Sequence, residues 1–99
     1  MNMQDLMMQA QKMQKEMGKI ENELNEKIYI GTAGGVVKVK VDGTYHVHEF
    51  EIEDEILEDK EGLQELLLLA LNDAITQARN EREERLGALT QGMGLPGGF

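Results

Sequence analysis

The chain has 99 residues, 40% of them hydrophobic, and a formal charge of −9. It contains neither Cys nor Ser, which excludes disulfides, thiol and serine nucleophiles, and cysteine-based zinc sites. No apolar run approaches the ~20 residues of a membrane span, and the polar, Met-rich start is no secretory signal, so a cytosolic protein of one domain is expected.

The negative charge is not spread evenly. Residues 1–48 carry six Lys and six acids, residues 49–73 carry one Lys and ten acids, and residues 74–99 carry three Arg and three Glu. All of the excess lies in the middle segment, which leaves the flanking segments free to form local cationic patches.

From Met3 to about Glu26 the pattern is helical. Met3, Leu6, Ala10, Met13, Met17, Ile20 and Leu24 are spaced alternately by three and four residues. A 3.5-residue repeat keeps one seam turned toward a partner helix. That partner is the C-terminal helix or a second subunit, unless the stripe is an ordinary amphipathic core face. On the other side Lys12, Lys15 and Lys19 fall at i, i+3 and i+7. The row fits two roles: a solvated face partly neutralised by Glu16 and Glu23, or a stripe that straddles phosphates.

Lys27–Ala33 reads as a first strand, with Gly34-Gly35 as its turn. The phosphate-loop glycine patterns are absent. In Val36–Val41 the valines 37, 39 and 41 alternate with Lys38 and Lys40, the period of a half-buried strand. Asp42-Gly43 suits a tight two-residue turn with positive φ at both positions. A third strand, Thr44 to Ile52, then folds back. With that turn, Val41, Val39 and Val37 pair with Thr44, His46 and His48. A bulge near His48 or Glu49 instead shifts part of the strand to the other face. His46-x-His48 offers two imidazoles, but no third ligand is fixed by spacing, so no metal and no cofactor are expected.

Asp59 is positioned to cap a second helix from about Lys60 to about Leu86. Leu63, Leu67, Ala70, Leu71, Ala74, Ile75 and Ala78 form its apolar stripe, and Leu66, Leu68 and Leu69 widen it beyond one contact face. A helix apolar on so much of its circumference must be covered from more than one side, which argues for a homodimer. The interface is expected on Leu66, Leu67, Leu68 and Leu71, with Met13 and Met17 of the first helix. Past Ala78 come Arg79, Arg82 and Arg85 between glutamates, a stretch expected to protrude, held partly by local ion pairs. Residues 1–90 form the domain, and residues 91–99, rich in Gly and holding Pro96, are expected to be a flexible tail.

Taken in order, several pieces match one family: Met8-Gln9-Ala10-Gln11-Lys12-Met13-Gln14, Gly34-Gly35-Val36-Val37-Lys38-Val39, Asp42-Gly43, and Phe50-Glu51-Ile52. After Leu57 and Asp59 follow Leu71-Asn72-Asp73-Ala74 and Met93-Gly94-Leu95-Pro96-Gly97. Over essentially its whole length the chain resembles the YbaB/EbfC family of bacterial nucleoid-associated proteins. The resemblance implies an α+β fold (helix, three-stranded antiparallel meander, helix) in an intertwined homodimer whose long helices project like tweezers. It also implies binding of double-stranded DNA, chromosome organisation, effects on gene expression, a cytoplasmic, nucleoid-associated location and no enzymatic activity. Family members often carry basic residues at the centre of the third strand, where this chain has His48-Glu49. The expected phosphate contacts therefore move to the helices: Lys12, Lys15, Lys19, Arg79, Arg82 and Arg85. No membrane and no small-molecule substrate is expected as a partner. The competing reading is a protein-interaction adaptor that uses the acidic segment and the heptad helix.

Overall fold

Two long helices flank a small sheet. In the computed structural model, which describes residues 2–92, α1 spans Met3–Glu26, β1 Ile28–Ala33, β2 Val37–Asp42, β3 Val47–Ile52, and α2 Lys60–Gly92. A single 3₁₀ turn, Asp54–Ile56, joins β3 to α2. The strands form one antiparallel sheet in the order β1-β2-β3. This is the α+β order expected from the sequence. The molecule measures 69 × 24 × 15 Å with a radius of gyration of 19.2 Å, against about 13 Å for a compact chain of this length.

Both helices start on side-chain caps. The Asn2 side chain accepts a hydrogen bond from the Asp5 amide (2.9 Å), and the Asp59 carboxylate accepts one from the Gly62 amide (2.9 Å), each satisfying an orphan donor of a first turn. α2 continues to Gly92, beyond the Leu86 expected from pattern and two residues into the stretch expected to be tail. The remainder of that tail, residues 93–99, lies outside the described residues.

The core is built by contact between small residues. Ala70, Ala74 and Ala78 of α2 are buried, as are Tyr29 and Ala33 of β1. Gly31 completes this seam: a Cβ on it would stand 1.9 Å from the Ala70 carbonyl oxygen and 2.7 Å from the Ala74 nitrogen. Val37, Val39 and Val41 of β2 fill the centre, with Leu63, Leu66, Leu67 and Leu71 packed around them. α2 crosses β1 and β2 and leaves β3 largely uncovered.

The same helix closes one edge of the sheet. The backbone groups of Ile30 and Thr32 point away from β2. The Gln77 amide donates to the Ile30 carbonyl (2.9 Å) and the Asp73 carboxylate accepts from the Thr32 N–H (3.2 Å). Across the sheet, the Glu53 amide bonds to the Val36 carbonyl (2.9 Å), and Glu51 and Glu49 pair with Lys38 and Lys40. That register turns the backbone groups of Phe50 and Ile52 outward from β3.

The β2–β3 connection differs from the tight turn, and His48 is the reason. Val41 pairs with Val47 and Lys40 with Glu49, so His48 is an extra residue in the ladder, the bulge alternative. The loop is Gly43-Thr44-Tyr45, closed by Asp42 N–H to His46 carbonyl (2.9 Å), and its positive-φ residue is Tyr45 (69°) rather than Gly43. This is the three-residue hairpin, a type I turn followed by one left-handed residue. The Asp42 carboxylate organises it, accepting from Thr44 N–H (2.8 Å), Thr44 hydroxyl (2.6 Å) and His46 N–H (3.1 Å), with the His48 ring nitrogen at 2.8 Å from its other oxygen. The valine-face pairing of His46 and His48 is thereby overturned, and Phe50 and Ile52 take the positions opposite Val39 and Val37.

Those donors, the Thr44 hydroxyl and the His48 ring foremost, hold the Asp42 carboxyl far below its usual range. A depressed folded-state pKa stabilises the fold above the unfolded value and loses that stability as pH falls. Urea titrations should therefore show stability declining below about pH 4, where an unfolded aspartate protonates. Asp42→Asn should be less stable at pH 7 and show a flatter acid limb. An unchanged limb would remove Asp42 as its source.

Candidate nucleic-acid interface

The cations named from the sequence fall into two groups. Lys12, Lys15 and Lys19 are exposed along α1, and Arg79 is exposed on α2. Among the described residues none of them has an ion-pair partner. The lysine row spans about 10 Å at 1.5 Å per residue.

Arg82 and Arg85 are engaged inside the chain. Arg82 is half-buried and donates to the Asn25 side-chain oxygen and to the Gly43 carbonyl (3.1 Å), tying α2 to the end of α1 and to the hairpin loop. Arg85 forms a 2.7 Å ion pair with Glu23. Its guanidinium is the main reason the Glu23 carboxyl lies below its usual range, with a smaller contribution from Lys19. One ion pair from the end of α2 thus runs to α1, and among the described residues none runs locally along α2 as expected.

A third group was not singled out from the sequence. Lys27 meets both oxygens of Glu81 at 2.8 Å and lies 5.3 Å from the centre of the Tyr29 ring. Burial, with the Glu81 carboxylate beside it, pushes the Tyr29 phenol up to about 12. Nothing in the local pattern linked Lys27 to a residue 54 positions away. On the outer sheet face Lys38 and Lys40 lie 3.8 Å and 3.2 Å from Glu51 and Glu49, so the β2 lysine row is neutralised across the strands.

Most of the acidic excess therefore lies at one end of the long axis. The hairpin loop sits at the base of the two helices, where Gly43 meets Leu24. The opposite end of the sheet carries Gly34 against Leu66, the acidic 3₁₀ turn and the acidic start of α2. Among the described residues no group of three or more His, Asp or Glu could hold a metal ion, and no helix is long and apolar enough to cross a membrane.

The leucines and methionines named for an interface also divide. Leu66 turns into the core, Leu67 and Leu71 straddle its rim, and Leu68 is 63% exposed. Phe50, exposed on the uncovered side of β3, joins Leu67, Leu68 and Leu71 in a shallow apolar groove. Met13 and Met17 are half-buried on α1.

Residues 1–93 match the model of the YbaB/EbfC DNA-binding family. The chain belongs to that family. A nucleoid-associated protein of Clostridium novyi is 41% identical over the whole of this chain and 90% of its own length. One from Xylella fastidiosa is 40% identical over 99% of this chain and 92% of its own. The crystal structure of an uncharacterized protein from Helicobacter pylori superposes with a TM-score of 0.75 at 29% identity, covering 90% of this chain and 97% of that one. For this YbaB/EbfC chain, no local sequence signal pointed to the Arg82 anchor. Asp42-Gly43 has the pattern of a turn pair, and only the fold shows that Gly43 is needed because Leu24 lies against its Cβ position.

Proposed function

We propose that this chain binds double-stranded DNA as a homodimer, organises the bacterial nucleoid from the cytoplasm, and through that influences gene expression. The observation that carries the reading is the unpaired lysine row Lys12, Lys15 and Lys19 on a projecting helix, with the acidic segment at the far end of the molecule. Lys12, Lys15, Lys19 and Arg79 would contact phosphates. Arg82 and Arg85 would act one step back, by fixing the angle between the helices. Two copies joined over the Phe50, Leu67, Leu68 and Leu71 groove would double the number of cations. Among the described residues no element presents side chains in a base-reading pattern, so sequence preference would be weak.

Fluorescence anisotropy with a duplex of arbitrary sequence tests this. Affinity should fall roughly 10³- to 10⁵-fold between 50 and 200 mM salt, as counterion release requires for a dimer making 6–10 phosphate contacts. Replacing Lys12, Lys15 and Lys19 by Gln should flatten the plot of log K against log salt by about one unit per lost contact, with the melting temperature unchanged. A salt-independent affinity, or no binding at low salt, would reject the phosphate reading and favour a protein-interaction adaptor.

A further inference from the structure

The N-terminal half of α1 carries a seam that, among the described residues, nothing covers. Met3 is 78% exposed, Leu6 50% and Met7 60%, and every residue from 2 to 12 is exposed. The same seam is covered lower down, where Ile20 is half-buried and Leu24 fully buried. There the partner is a helix: Glu23 and Asn25 meet Arg85 and Arg82 of α2. α2 runs antiparallel to α1, and among the described residues the first ten or so of α1 extend past it.

We infer that this exposed half-seam docks on the same segment of a second copy, antiparallel, linking one assembly of this protein to the next. Three observations select that occupant. The apolar spacing is the 3.5-residue repeat of a helix-on-helix contact, continuous with the part already packed on a helix. The residues after Gly92 include Gly94, Pro96, Gly97 and Gly98 and supply no further heptad.

The charges beside the seam change at its midpoint. Its flanks are Met7, Gln9 and Gln14 in the first half but Glu16, Glu21 and Glu23 in the second. Identical helices brought together over the second half would repel, and that half instead meets an arginine of α2. Over the first half they meet no like charge. Antiparallel alignment sets Leu6 against Ala10 of the second copy, large beside small, and Met3 against Met13, where a parallel one would leave Ala10 facing Ala10 across a gap. It also keeps the two bodies at opposite ends of the contact.

The contact is short, so it will appear at high protein concentration and through paired arms. It rests on the two-copy reading above only through the mass from which it builds. The full chain, which has no native cysteine, is tested in two ways. Under mild oxidation, an equimolar mixture of Leu6→Cys and Ala10→Cys chains should give the mixed crosslinked pair in preference to either like pair. In sedimentation at rising concentration, the wild type should pass from dimer to multiples of it. Leu6→Glu, helix-compatible and exposed, should stay a dimer. Leu68→Glu should instead take the dimer apart while leaving the arm crosslink intact, so the two readings fail separately. Like-residue crosslinks, or a concentration dependence unchanged by Leu6→Glu, would overturn the inference. So would a loss of binding to anionic vesicles as the sole effect of Leu6→Glu.

Discussion

Gly31→Ala is expected to cost about 3 kcal/mol or more and to lower the melting temperature by roughly 12–24 °C in a domain of this size. The added methyl would meet the Ala70 carbonyl oxygen at 1.9 Å, the Ala74 nitrogen at 2.7 Å and the Ala70 carbonyl carbon at 3.0 Å. All three are backbone atoms, so no rotamer change relieves the contact and α2 must move off the sheet. That movement opens the fully buried Ala70 and Ala74. It also stretches the bonds from Asp73 and Gln77 to β1. Gly18→Ala is the matched control, since nothing lies within 4 Å of its added Cβ. It should stabilise α1 by about 1 kcal/mol. Thermal melts followed by circular dichroism separate the two, and a Gly31→Ala melt equal to the wild type would mean that the helix does not sit this close to the strand.

Leu24→Ala should cost about 3 kcal/mol, within the 2–5 kcal/mol range of buried leucine truncations. Leu24 is the one buried residue of the 24-residue α1. Around it the Gly43 amide reaches the Asn25 carbonyl at 3.3 Å, and Arg82 spans from Asn25 to Gly43. The cost should be local in character. Amide exchange should accelerate along α1 while the amides of β2 and of α2 near Ala70 and Ala74 keep their protection. DNA affinity should fall as well, because the lysine row sits on the helix that this joint orients. If α1 and the sheet lost protection together, α1 would be part of one cooperative unit with the core.

Helix and strand positions were legible because their periods are strong. The alternating valines 37, 39 and 41 and the heptad from Met3 to Leu24 lie within a residue or two of the elements observed. What local pattern did not carry was the reason for a residue's presence. Gly43 resembled a positive-φ turn residue, and the structure requires it because its Cβ position lies against the Leu24 carbonyl. Arg79, Arg82 and Arg85 formed one triplet by spacing, yet the second and third are matched to Asn25, Gly43 and Glu23, partners fixed only by the way the two helices fold back on each other. The leucine-rich face divided in the same way: a wide stripe cannot say which side α2 turns to the sheet, and the answer came from the small residues Ala70, Ala74 and Gly31.

The two borders of the sheet have unequal fates. At β1 the outward amide of Thr32 and carbonyl of Ile30 are already taken by Asp73 and Gln77, whereas Phe50 and Ile52 on β3 keep theirs. Among the described residues an added strand therefore meets side-chain competitors at β1 and none at β3. A pair of molecules that met at β3, hydrogen bond to hydrogen bond, would leave outermost only the two obstructed borders, so this route favours a closed pair over a fibre.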